Sequence, residues 1–341
     1  VKIKVTTDWH VAAKRVAGTT PISALALQDY ILNSLRSALD PAYPHLIAGD
    51  LLDQFTIDTR SLFAAYQVLS EFLASGQELA VMRGNHDHSP RGTQSSSFDL
   101  LMDILKAQYG DRLTVAREVA EWQQFVLVPH LPNNDLLRLE VERLADVKDR
   151  VIVFHANYNN FHAADSVSSL NLTEAMVIPL IANGNTVVLG HEHDHRRLFN
   201  GRLLVLGNGV PSSVADCLGS KSKYSAYFDG TDYTLEEMVS IPDHYAEVDW
   251  TDLEDAPEVD FIRVTGSATA DQAAEVVGAV AALRKVSSAM VISNSVRIEG
   301  MADFDALAEM SFDDVSKVDV LGMLLEELNE RERKTVKELL E

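Results

Sequence analysis

Five short apolar runs in the first two hundred residues each end in a knot of aspartate, asparagine, glycine and histidine. Ile3 and Val5 lead into Asp8-Trp9-His10. Residues 45–48 lead into Gly49-Asp50-Leu51-Leu52-Asp53, and residues 79–82 into Gly84-Asn85-His86-Asp87. His155 closes the run 151–154, and Gly190-His191-Glu192-His193 closes 186–189. The runs read as strands, and helical periodicity lies between them. Residues 21–39 place Leu25, Leu32, Leu35 and Leu39 on one face, with Pro21 at a first helical position. Residues 58–74 do the same with Leu62, Tyr66, Leu69 and Leu73. Such alternation predicts an α/β fold. In open α/β sheets the carboxyl ends of the strands line the ligand crevice, so the knots are expected to converge on one place.

A further strand is predicted at 125–128, and a hairpin at 197–199 and 202–206 around the turn dipeptide Asn200-Gly201. The apolar fraction of 46% is enough for a large core and a satellite. Charge marks the division: residues 1–240 hold 20 basic and 28 acidic side chains, residues 241–341 hold 9 and 23. The stretch 241–260, with Pro242, Pro257 and many acids, fits a boundary. We expect a first domain over 1–240, a small α/β domain over 241–305 and a helical segment over 306–341. The small domain has strands at 261–264 and 290–298 around a helix at 271–285. The last segment carries a stripe of Val318, Leu321, Leu325 and Leu328.

The formal charge of −22 excludes a protein that coats nucleic acid through bulk positive charge, so a phosphate partner must be gripped locally. Lys14, Arg15, Arg91, Arg196, Arg197, Lys221 and Lys223 flank the knots and are the candidates for backbone phosphates. The single cysteine, Cys217, excludes a disulfide framework or a multi-cysteine zinc site and is expected to be buried. No apolar run has the length of a membrane span, and residues 1–10 lack the marks of a signal peptide, so a cytoplasmic protein is expected. Neither a Gly-x-x-x-x-Gly-Lys-Ser/Thr loop nor a Gly-x-Ser-x-Gly elbow is present, which argues against ATP hydrolysis by this chain and against a serine esterase.

Carboxylate, imidazole and amide-carbonyl donors without thiolate suit a hard or borderline divalent ion such as Mn²⁺, with Mg²⁺, Fe²⁺ and Zn²⁺ as alternatives. Two such ions clamp both the attacking and the leaving oxygen of an in-line phosphoryl displacement. Glycine before Asp50, Asn85 and His191 permits a tight turn and close backbone approach.

The five motifs, in this order, resemble those of the calcineurin-like metallophosphoesterase superfamily. That resemblance implies a metallophosphoesterase β-sandwich flanked by helices. It implies one ion held by Asp8, His10, Asp50 and His193 and a second by Asp50, Asn85, His155 and His191, with Asp50 as the bridge. His86 is implied to be the histidine that meets the scissile phosphate and protonates the leaving oxygen, while Asp53 and Asp87 support the ligands.

Within the superfamily the whole chain resembles the SbcD-type DNA repair nucleases, including short phage recombination subunits. The similarity lies in Gly49-Asp50-Leu51-Leu52-Asp53 followed by an amphipathic helix, in Leu206-Gly207-Asn208-Gly209-Val210-Pro211, in a DNA-capping domain after 240 and in terminal helices. Asn208 departs from that family's usual small hydroxyl residue. The resemblance implies a Mn²⁺-dependent 3′-to-5′ exonuclease on duplex ends and endonuclease on single strands. Its partners would be DNA, a second copy of the chain, and an SbcC-type ABC ATPase docked on the terminal helices, in the host cytoplasm if phage-encoded. Two alternatives are a metallophosphatase or cyclic-nucleotide phosphodiesterase on small phosphoesters, and a non-catalytic scaffold.

Overall fold

The structure, a computed structural model, describes residues 1–13, 16, 18–89, 94–160 and 170–299. Lys14, Arg15 and Arg91 and the whole expected segment 306–341 lie outside the described residues. The chain divides into two units. One comprises Val1–Ala246, Pro257–Arg263 and Ser287–Ser293, the other Glu247–Ala256, Val264–Val286 and Asn294–Glu341.

In chain order the elements begin with β1 (Ile3–Thr6), α1 (Pro21–Ala38), β2 (His45–Ala48), α2 (Thr59–Ala74), β3 (Leu79–Met82), α3 (Ser97–Tyr109) and β4 (Leu113–Ala116). There follow β5 (Ala120–Trp122), β6 (Phe125–Val128), α4 (Asn134–Arg143), β7 (Val151–His155), the short β8 (Asn157–Tyr158) and β9 (Asn171–Leu172), α5 (Glu174–Ala182) and β10 (Thr186–Gly190). The expected hairpin is β11 (Arg196–Leu198) and β12 (Leu203–Val205), and a longer one, β13 (Ser222–Asp229) and β14 (Asp232–Ser240), comes next. The remainder is α6 (Ile241–His244), β15 (Tyr245–Asp249), β16 (Phe261–Thr265), β17 (Ser267–Ala268), α7 (Ala273–Val286), β18 (Val291–Asn294) and β19 (Arg297–Ile298).

Helix starts follow the local chemistry. Thr20 caps α1 through a reciprocal box with Ser23, with Pro21 as the first helical residue. Asp58 caps α2 and Ser96 caps α3. Two six-stranded sheets form the first unit, in the orders β14-β13-β1-β2-β3-β4 and β11-β12-β10-β7-β6-β5. Strands β1 to β4 run parallel, as do β12, β10, β7 and β6.

The period of two along each strand explains the layers. Val151 and Val153 of β7 face a core shared with Leu46, Ala48, Ala80 and Met82 of the other sheet. Ile152 and Phe154 face the opposite way, onto Leu137, Val141, Val177 and Leu180 of α4 and α5. Ile47, Leu79 and Val81 turn outward onto Leu27, Ile31, Leu69 and Leu101 of the other helices. Strands β3 and β6 and the run Val151–Phe154 of β7 are thus covered on both faces, which is why they are apolar throughout. The result is a helix-flanked β-sandwich, as expected of an α/β metallophosphoesterase fold. Cys217 is buried.

In the second unit β17 pairs in parallel with β19, and the Trp250 indole donates to the Ser267 carbonyl oxygen. No helix among the described residues is long and apolar enough to cross a membrane.

Candidate metal centre

Parallel strands end at a common level, and the knots meet there. Asp8 and His10 follow β1, Asp50 follows β2, Asn85 and His86 follow β3, His155 ends β7, and His191 and His193 follow β10. Asp8, His10, Asp50 and His191 all have positive φ, between 46° and 91°, a region that costs energy for side-chain-bearing residues and concentrates at functional sites.

Two groups of side chains result. In the first, ligand atoms of Asp8, His10 and His193 lie within 4.8 Å of one another, and in the second those of Asp50, His155 and His191 do. Asn85 joins the second group, its Oδ1 2.9 Å from His155 Nε2 and 2.8 Å from His191 Nδ1. Asp50 reaches both: its Oδ2 is 3.2 Å from His155 Nε2 and 3.9 Å from His10 Nε2. His86 also brings a ring nitrogen within 4.8 Å of ligand atoms of His10 and Asp50.

Proton assignments test whether a cation fits. The His155 Nδ1 lies 3.2 Å from the Ala48 carbonyl oxygen, which can only accept, so the hydrogen is on Nδ1. Among the described residues, its Nε2 then faces acceptors, the Asp50 carboxylate and Asn85 Oδ1. In the first group His193 Nδ1 donates to Asp216 Oδ1 at 2.6 Å, so its Nε2 lone pair faces His10 Nε2 at 3.1 Å. Lone pairs and carboxylate oxygens pointed at each other repel unless a positive charge sits among them, and the donor set suits a divalent cation. Without one, a proton must serve. Burial disfavours the Asp50 charge, yet His155, His86 and His10 together hold its carboxyl well below the usual range. Burial likewise opposes a charge on His155, but the Asp50 carboxylate raises that ring to about 9. Burial and the neighbouring His155 push His191 well down.

Supporting groups fix this arrangement. Asp87 is fully buried and accepts from the backbone N–H groups of Leu51, Leu52 and Gly84, tying the second and third knots together. Burial, then the Asp50 charge, pushes its carboxyl up to about 7. Asp53 Oδ1 lies 3.5 Å from His10 Nδ1. The glycines matter for approach to side chains rather than to the ions alone. A Cβ on Gly49 would lie 2.2 Å from His155 Nδ1, and one on Gly84 would lie 2.0 Å from Asp50 Oδ1 and 2.4 Å from Asp50 N. Gly84→Ala therefore has to displace Asp50. We expect it to weaken cation binding at least roughly 10–100-fold, with far-UV circular dichroism unchanged, as measured by metal dialysis.

The basic candidates separate. Lys223 is buried, 1% exposed, and its Nζ donates to the His193 carbonyl oxygen at 3.1 Å. It holds the centre and is not a surface grip for phosphate, a correction to the expectation from sequence. Strand β13 turns it inward, which the charged look of Lys-Ser-Lys conceals. Arg196 is paired with Glu192. Exposed Arg197 lies over the Tyr233 ring, and exposed Lys221 lines a cavity of about 380 Å³ with His195, Arg196 and Tyr224. Asn208 is fully buried, its amide donating to the Val210 carbonyl oxygen.

Two residues near the centre escaped the sequence reading. His130 is buried, with ring centroids 5.4 Å from His88 and 6.4 Å from His155. Asp216 is the acceptor for His193 described above. Neither belongs to a motif, and only the fold brings them in.

The family comparison agrees with the fold. The model of the calcineurin-like phosphoesterase family matches residues 1–195. No curated protein matches the chain. Among solved structures, the cold-active protein-tyrosine phosphatase of a psychrophilic Shewanella species is similar at 14% identity, covering 70% of this chain and 80% of that one, with a TM-score of 0.34. A mutant of the cold-active protein tyrosine phosphatase gives the same identity, coverage and TM-score, 14%, 70% and 80%, and 0.34.

Proposed function

The chain belongs to the calcineurin-like phosphoesterase family and is a metal-dependent phosphoester hydrolase, and from that premise we propose that its substrate is DNA and its role that of an SbcD-type nuclease subunit. The observation that carries the narrower reading is the chain beyond the sandwich: a second unit with its own helix α7 and strand pair β17 and β19. Hydrolysis of a small phosphoester calls for no such addition, whereas a polymeric substrate offers surface for a second unit to hold. Exposed Arg197 and Lys221 are available for backbone phosphates in a chain whose total charge is strongly negative.

In this reading Asp8, His10, Asp50 and His193 hold one ion, and Asp50, Asn85, His155 and His191 hold the other, with Mn²⁺ the preferred metal. When bound, the ions stabilise the charge that develops on the phosphoryl oxygens. The protein's own part is positional. The Asp53 carbonyl oxygen, 2.6 Å away, takes the Nδ1 hydrogen of His86, leaving Nε2 as the ring atom that delivers a proton to the departing oxygen. The Asp50 Oδ1 fixes the same residue by accepting from its backbone N–H at 2.9 Å. Exposed Phe63, stacked on Tyr66, and exposed Leu100 and Ile104 on α2 and α3 give a second copy of the chain an apolar face. The partner for strand opening is an SbcC-type ATPase.

Digestion of end-labelled duplex and circular single-stranded DNA with Mn²⁺, beside a small chromogenic monoester, tests the reading. We expect shortening from duplex 3′ ends and cutting of the circle, with slow monoester turnover. Efficient monoester hydrolysis with intact DNA would instead make the protein a small-molecule phosphatase.

A further inference from the structure

Asp216 lies in a single turn, Ala215–Cys217, outside all five knots, and is 5% exposed. Its two oxygens have different work. Oδ2 accepts from the Ser212 N–H at 2.8 Å, the Ser212 hydroxyl at 2.9 Å and the Ser213 N–H at 3.0 Å, which holds the carboxylate in place. Oδ1 meets His193 Nδ1 at 2.6 Å, a charge-assisted hydrogen bond. A carboxylate supplies no hydrogen here, so the ring must donate, and its lone pair is confined to Nε2. That nitrogen is the one facing His10.

The main chain of His193 is held from the same segment. Its carbonyl oxygen accepts from Lys223 Nζ at 3.1 Å and from the Asn208 N–H at 3.3 Å. The other half of the centre is supported differently, His155 Nδ1 leaning on the Ala48 carbonyl oxygen of β2. We propose that Asp216 is a positioning residue for the half of the centre built on Asp8, His10 and His193. It fixes the tautomer and direction of the His193 ring, so cation affinity depends on it in that half alone. This rests on the two-cation reading of the site. A carboxylate behind a histidine ligand both orients the ring and raises its basicity, and its loss commonly costs 10–100-fold in metal affinity.

Equilibrium dialysis of the full chain against Mn²⁺ tests the inference. Wild-type protein should bind two equivalents. In Asp216→Asn, nearly the same shape without the charge, one equivalent should weaken by roughly 10–100-fold and the other stay unchanged. Ser212→Ala removes one of the three donors to Oδ2 and leaves the two backbone donors, so the same equivalent should weaken by less than in Asp216→Asn and the other stay unchanged. Unaltered binding by Asp216→Asn, equal weakening of both equivalents, or a larger loss in Ser212→Ala than in Asp216→Asn would overturn it. Long-range ¹H–¹⁵N spectra of histidine-labelled, metal-free wild-type protein give a second reading that needs no variant. His193 should carry its hydrogen on Nδ1, and a hydrogen on Nε2 would overturn the assignment. A wild-type chain that binds no Mn²⁺ would instead defeat the two-cation reading itself.

Discussion

Asp50→Ala should strip the protein of both cations and lower phosphodiesterase activity by about three orders of magnitude or more, since each ion supplies several kcal/mol of charge stabilisation. The size of the effect follows from position. Among the described residues, Asp50 is the one carboxylate that reaches ligand atoms of both groups, at 3.2 Å from His155 Nε2 and 3.9 Å from His10 Nε2. It is 1% exposed, so its carboxylate is turned to the ligands and not to solvent. Removing it also leaves His155 buried against Asn85 Oδ1 without the charge that supports it. Elemental analysis after dialysis gives the count, and circular dichroism shows whether the fold survives. Asp50→Asn keeps the shape and guards against collapse of the pocket. A variant that retains two ions would mean that Asp50 is not the bridge.

His86→Ala should act in the opposite manner, sparing the metal content while lowering kcat on DNA by roughly 10²–10⁴-fold, the usual contribution of a positioned acid. The ring is anchored by the Asp53 carbonyl oxygen and packs edge-on to His10 at a centroid distance of 4.8 Å. Its ring nitrogen lies within 4.8 Å of ligand atoms of His10 and Asp50, while the groups Asp8, His10, His193 and Asp50, His155, His191 form without it. A diester whose leaving group is already acidic, such as bis(p-nitrophenyl) phosphate, needs little help from an acid. The loss on that substrate should therefore be much smaller than on DNA, with KM for both little changed. Equal losses on the two substrates would reassign His86 to holding the phosphate or a metal.

The strands and the knots at their ends were legible because both faces of each central strand are covered. Runs such as 151–154 and 187–189 have no polar position to blur them, and the motif residues begin where the sheet stops. Helices α1 and α2 were legible through Pro21 and the leucine spacing, and the caps Thr20 and Asp58 agree. The hairpin of β13 and β14 was not. Strand β14 lies at the edge of its sheet with most side chains at least partly exposed, and Glu236 and Glu237 break its apolar pattern. Within the centre, residues that touch one another through motifs could be named in advance. The supporting roles of Asp216 and Lys223 could not, since they lie in reaching His193, 23 and 30 positions earlier in the chain. A lone aspartate in a serine-rich loop and a lysine between a serine and a tyrosine carry no local mark of a buried role.

One measurement goes straight to the centre: the anomalous difference map of a crystal soaked in Mn²⁺. Two peaks should appear, one against Asp8, His10 and His193, the other against Asn85, His155 and His191, with an Asp50 oxygen on each. A single peak, or a map without any peak among these side chains, would contradict the two-cation account.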